Sequence, residues 1–181
     1  SMYQERGLLP SDRLAGLMAA AIVADTVMFK SPTSTQRDHR MAERMARIAN
    51  ISLDELGQAI FSASMDSKPT ESLLFGDFKD FHIADHDFGV SQITCIDSKR
   101  MMERKDEFLA LMQKTMEERG YTLMILMLTD VLLEGTQIIY VGDDDTIRQA
   151  FNVIPKDNTV FLPKVMSRKK QIIPTLSAMW G

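Results

Sequence analysis

Near the carboxyl end, Ser167-Arg168-Lys169-Lys170-Gln171 sets three consecutive cations in a chain whose formal net charge is −4. Lys164 lies just upstream, and the segment contains no Asp or Glu. Arg presents a planar fork of donors and Lys a mobile point charge, a pairing suited to phosphate oxygens. A solvated basic corner at a helix start is the commoner origin of such a run, but two other residues keep it company. Asp25 continues the series Met18, Ala21 and Ile22 on the apolar stripe predicted for the first helix. An ionised carboxylate there needs a partner, which a metal, an Arg or a backbone donor would supply. Lys79 stands between Asp77 and Asp80 at a strand entry. It reads either as a surface ion pair of little weight or, if it faces the same cleft as Arg168 and Lys169, as a third cation for a phosphate ligand.

The remaining constellations carry less. His82-Ile83-Ala84-Asp85-His86-Asp87 alternates ligand types. Strand geometry would put His82, Ala84 and His86 on one face and Asp85 and Asp87 on the other, which splits the three or four ligands that a metal site must converge. A turn with solvated histidines is the preferred reading. Asp143-Asp144-Asp145-Thr146 lacks the Gly and the distal Glu of a calcium loop and reads as capping at a helix start. The sequence contains no P-loop, no GxGxxG and no GxSxG. Cys95 lies in an apolar strand and reads as core.

The elements that must position these residues fall into two parts. Ser11 and Asp12 cap a predicted helix with Leu14, Leu17, Met18, Ala21 and Ile22 on its inner face. Thr35 and Asp38 resemble a capping box ahead of Met41, Met45 and Ile48, and Ser52 with Glu55 repeats the device ahead of Leu56, Ile60 and Phe61. Residues 1–66 are thus helical, and Ser67-Lys68-Pro69-Thr70 is the linker. Residues 71–181 read as an α/β domain with a mixed sheet flanked by helices. Its predicted strands are Phe78 to Ile83, Phe88 to Ile96, Tyr121 to Leu128, Thr136 to Val141 and Thr159 to Leu162. Its predicted helices are Ser98 to Arg119, stopped by Gly120, then Asp143 to Phe151, and Lys170 to Met179. The continuous apolar run of the third strand suits a sheet covered on both faces.

Composition narrows the function classes. At 181 residues, 45% hydrophobic and 25% charged, the chain is long enough to bury a sizeable core and matches an ordinary globular protein. No apolar run approaches the roughly 18 residues that span a bilayer, and the amino end lacks a secretory signal. A single Cys excludes an internal disulfide and agrees with a reducing, cytoplasmic compartment. The acidic balance argues against nucleic-acid binding. The basic run then points to a small, highly charged anion.

Four segments together carry a likeness. They are Ala24-Asp25-Thr26-Val27-Met28-Phe29-Lys30-Ser31-Pro32-Thr33, Asp77-Phe78-Lys79-Asp80-Phe81, Thr129-Asp130-Val131, and Ser167-Arg168-Lys169-Lys170-Gln171 followed by Pro174. In order and spacing they resemble the carboxyl half of the manganese-dependent, family II inorganic pyrophosphatases, which belong to the DHH phosphoesterases. The part after the linker resembles the domain called DHHA2. The resemblance implies that Asp25 ligates a metal pair, that Lys79, Arg168 and Lys169 bind pyrophosphate, and that the adjacent Lys170 assists. It also implies two divalent ions, Mn2+ preferred with Co2+ or Mg2+ as options, and hydrolysis of pyrophosphate to two phosphates. A homodimer is an option for the intact protein. The family's Asp-His-His motif and most of its metal ligands have no counterpart here, since His39, His82 and His86 stand in no such motif. The chain is therefore expected to be the substrate-binding portion of a longer enzyme, with residues 1–66 the end of a DHH domain whose amino-terminal part is missing, and to catalyse little alone. An exopolyphosphatase, another DHH phosphoesterase, or a phosphate-binding module without chemistry are the alternatives.

Overall fold

The computed structural model describes residues 9–26, 28–29 and 34–181, so Val27 and residues 30–33 of the first motif segment lie outside it. The chain divides into two compact units, Ser1–Asp66 and Ser67–Gly181.

The first unit holds helices α1 (Asp12–Asp25), α2 (Gln36–Ala49) and α3 (Leu53–Asp66). Ser11 caps α1 by accepting from the Leu14 amide at 3.4 Å. Thr35 and Asp38 form the reciprocal capping box of α2, and Asn50 closes that helix in the left-handed region. Met45 of α2 packs on Ala15 and Ala19 of α1. This corrects the inner face expected for α1. Ala15, Ala19 and Val23 are buried, whereas Leu17 is 63% exposed. Small residues win the interface because they let two helix axes approach closely, and the bulkier side chains turn to its rim. The rotation carries Asp25 to the exposed side, so its carboxylate is not a buried charge in need of a partner.

The second unit runs α4 (Thr70–Gly76), β1 (Phe78–Ile83), β2 (His86–Cys95), α5 (Ser98–Met102), α6 (Lys105–Arg119), β3 (Leu123–Asp130), β4 (Gly135–Gly142), α7 (Asp144–Phe151), β5 (Thr159–Pro163), a π-helical turn (Arg168–Ile172) and α8 (Ile173–Trp180). The five strands pair in sequence order, with β2 and β3 parallel and the other neighbours antiparallel. All eight residues of β3 are buried, as its apolar run predicts. One face of the sheet, built on Phe88, Val90, Ile125, Met127, Ile138 and Tyr140, packs against Ile147 of α7, Ile172 of the π turn and Leu176 of α8. On the opposite face, Ser91 donates to the Leu74 carbonyl of α4, and α6 packs along β3 and β4.

Two further boundaries differ from expectation. The long helix from Ser98 breaks at Glu103 and Arg104, where Arg104 leaves helical geometry and donates to the Lys68 carbonyl at 2.9 Å and the Thr70 hydroxyl at 2.5 Å. The β1–β2 hairpin turns on two residues, Ala84 and Asp85, with Ala84 at φ 51°. Ile83 therefore pairs with His86 and His82 with Asp87, which sets the two histidines on opposite faces rather than on one. His82 bonds Asp87 at 2.7 Å and is exposed, while the His86 ring stacks on Trp180 at 4.3 Å.

Candidate functional site

Along β1, Lys79 alternates with Phe81 and Ile83, and both of those pack against the core beneath the π turn and α8. Strand geometry places Lys79 on that same face, opposite Val90 of β2. Arg168, the first residue of the π turn, reaches the same spot. Its Nη1 donates to the Asp77 carbonyl at 2.7 Å and the Val90 carbonyl at 3.0 Å, and its Nη2 to Asp77 Oδ1 at 2.7 Å. The residue is 8% exposed. Lys79 and the Arg168 guanidinium thus meet the same residue of β2, Val90.

The other members of the run divide by role. Ser167 caps the turn, its Oγ accepting from the Lys170 amide at 3.2 Å. Gln171 folds back on the preceding loop. Its Oε1 accepts from the amides of Met166 at 2.8 Å and Ser167 at 3.0 Å, and its Nε2 donates to the Lys164 carbonyl at 2.9 Å. Lys169 and Lys170 are exposed. Neither these two nor the exposed Lys79 has an ion-pair partner among the described residues, so three ammonium groups stand available to an anion. Lys170 also borders a cleft of about 710 Å3 between α7 and α8.

The loop bearing the run is tied to the sheet by side chains that the sequence reading passed over. Gln92 Nε2 donates to the Met166 carbonyl at 3.1 Å and to Thr129 Oγ1 at 2.9 Å. Thr129 lies 3.2 Å from Thr136, whose hydroxyl donates to the Val165 carbonyl. These groups replace the apolar pattern at one end of the core face, where a polar residue interrupting each buried strand was the available signal. Asp130 is 2% exposed; it accepts from the Ser98 amide at 2.9 Å and from Leu132 and Leu133 at 3.0 and 2.9 Å. Its two oxygens are spent on backbone amides.

Such an arrangement can hold and neutralise an anion. Cys95 is buried, and that burial, ahead of the Asp130 and Asp97 charges, pushes its thiol up to about 12. Asp143 caps α7 by accepting from the Thr146 amide at 3.0 Å, as its position at a helix start predicts. Among the described residues no three His, Cys, Asp or Glu side chains converge as metal ligands. Asp25, in the first unit, supplies one exposed carboxylate, too small a donor set for a two-metal centre.

Comparison with known proteins gives this arrangement a setting. Residues 58–179 match the DHHA2 domain. The chain is 41% identical over 181 residues to a protein of Clostridium acetobutylicum named "Probable manganese-dependent inorganic pyrophosphatase", covering 98% of this chain and 58% of that one. It is 40% identical to the "Cobalt-dependent inorganic pyrophosphatase" of Clostridium perfringens, covering 97% of this chain and 32% of that one. A Methanococcus jannaschii protein assigned to the family II inorganic pyrophosphatases has a crystal structure that superposes with a TM-score of 0.65 at 36% identity, over 95% of this chain and 57% of that one. The chain therefore spans less than two thirds of the length of these relatives. With residues 58–179 matched, more than half of its length, the chain belongs to the DHHA2 domain family.

Proposed function

We propose that this chain is the substrate-gripping part of a manganese- or cobalt-dependent inorganic diphosphatase, and that its ligand is pyrophosphate. The observation that carries the reading is that Lys79 and the Arg168 guanidinium meet the same residue of β2, Val90, while Lys169 and Lys170, next in the turn, are exposed and without an ion-pair partner among the described residues. The names of the relatives supply the substrate and metal. Residues 1–66 form the end of a DHH domain, 67–70 the linker and 71–181 the substrate-binding domain. Asp25 contributes one carboxylate to a metal centre whose other ligands lie outside this chain. The lone buried Cys95 suits a reducing, cytoplasmic setting.

In this role the chain binds and neutralises. Pyrophosphate is multiply charged, and cations arranged before it arrives spend no reorganisation at the moment of reaction. Lys79, Lys169 and Lys170 offset phosphoryl charge, and Arg168 anchors the turn and faces one phosphoryl group. Calorimetric titration of the 181-residue chain with pyrophosphate tests this. Lys79→Ala and Lys169→Ala should each weaken binding about tenfold, close to 1.4 kcal/mol. Unchanged affinity in both variants would sink the proposed site. Robust phosphate release by the chain with Mn2+ alone would refute the assignment of the metal centre to residues outside it.

A further inference from the structure

Arg carries five N–H donors on a rigid plane. In Arg168 both hydrogens of Nη1 are taken, by the carbonyls of Asp77 and Val90, and one hydrogen of Nη2 goes to Asp77 Oδ1. The two that remain are Nε–H and the second Nη2–H. With the Asp77 bond on the Nη2 hydrogen that faces Nη1, the donor from which the Asp77 carbonyl also accepts, these two lie side by side on one edge of the plane, the kind of fork that binds a phosphoryl group through two parallel bonds. Nε bonds to no described residue, and among the described residues no buried side-chain nitrogen or oxygen lacks a partner. Nε is therefore not sealed inside the fold.

We propose that Asp77 is a positioning residue for anion recognition: by holding the inner donors of Arg168 it fixes the guanidinium plane and turns the Nε/Nη2 edge toward one phosphoryl group. The inference rests on the function proposed above and adds to it the device that aims the arginine. Asp77 meets two requirements at once. Its carbonyl accepts from both Arg168 and the Gln92 amide, the latter at 3.0 Å, which ties the start of β1 to β2. Its carboxylate stands 2.7 Å from Nη2 with its own side chain 55% exposed.

The sign of a substitution separates aiming from simple electrostatics. Asp77 is a negative charge beside an anion site, so if it acted by charge alone its removal would tighten pyrophosphate binding. If it aims Arg168, removal frees the guanidinium to rotate and binding weakens. Pyrophosphate is titrated calorimetrically into the unaltered chain, Asp77→Ala, Asp77→Asn, Arg168→Lys and Lys169→Ala, with Trp180 fluorescence checking that each is folded. The expected result is an approximately tenfold loss for Asp77→Ala, most of it recovered by Asp77→Asn, whose amide oxygen still accepts from Nη2. Arg168→Lys keeps the charge but has no paired edge, and should lose about as much. Equal or tighter binding by Asp77→Ala overturns the inference while Lys169→Ala still weakens binding; so does Arg168→Lys with full affinity, a result that holds even if Asp77→Ala fails to fold. No binding by the unaltered chain overturns the proposed function itself and this inference with it.

Discussion

Replacing Gln171 by Ala removes no charge from the basic run, yet it should loosen the whole segment. Three hydrogen bonds are lost, two accepted from the Met166 and Ser167 amides and one donated to the Lys164 carbonyl. A net intramolecular hydrogen bond contributes about 0.5–1.5 kcal/mol. The two amides are part-buried and the Lys164 end is exposed, so the loss should be about 2–3 kcal/mol. Gln171→Glu keeps both acceptor bonds but sets a carboxylate oxygen against the exposed Lys164 carbonyl, which must turn to water, and should cost about 1 kcal/mol. Trp180, the one tryptophan of the chain, is a local reporter because its ring lies 4.3 Å from His86 and 5.1 Å from Phe88. With a urea m-value of about 1–3 kcal/mol/M, its fluorescence midpoint should fall by roughly 1–2 M in the Ala variant at unchanged m. Pyrophosphate affinity should fall with it although no cation is gone. A loss below about 0.5 kcal/mol, or equal losses in Ala and Glu, would refute the claim that this side chain holds the loop.

Two other outcomes follow from the same unit. Asp130→Ala strands three backbone amides that the buried carboxylate satisfies, and should cost about 4 kcal/mol in a urea titration; Asn should cost less, because one oxygen can still serve Leu132 and Leu133. The Cys95 thiol is raised from its ordinary value of 9.0 to about 12 by burial first. The folded chain keeps its proton after the unfolded chain has released it, so stability present below pH 9 should decline as pH rises toward 12. Iodoacetamide should accordingly label Cys95 in urea and spare it in the folded chain at pH 8, and rapid labelling without denaturant would contradict this burial.

What the sequence made legible was local. The capping box at Thr35 and Asp38, the stop at Gly120, and the buried run of β3 each depend on residues within a few positions of one another. The burial of α1 escaped because its contact face is made of alanines, whose weak hydrophobicity is outvoted in a pattern reading by Leu17 and Met18. The two-residue hairpin at Ala84 and Asp85 shifted the side-chain parity between His82 and His86, and one residue of shift is enough to change faces. The basic run was legible as a cluster of cations in an acidic chain. The division of labour among them was not. Arg168 finds its acceptors 91 and 78 residues away, and no spacing rule reaches that far.

That division bears on how an acidic chain keeps such a run. Three adjacent cations repel, by about 1 kcal/mol per pair at 4 Å in water and less with salt. Asp77 offsets one of them by pairing with Arg168, and the remaining two project into solvent, where the repulsion is weak. The π turn adds to this: its i→i+5 bond from the Ile172 amide to the Ser167 carbonyl, at 3.4 Å, widens the backbone at the point where the lysines emerge. Ser167 and Gln171 hold the two ends of the turn, Arg168 bolts it to β1 and β2, and Ile172 buries its far side in the core. The fold therefore stabilises the turn through its uncharged and paired members, which leaves Lys169 and Lys170 with little structural duty. An anion that reached the two lysines would relieve their mutual repulsion, and the stability of the turn would not depend on its being there.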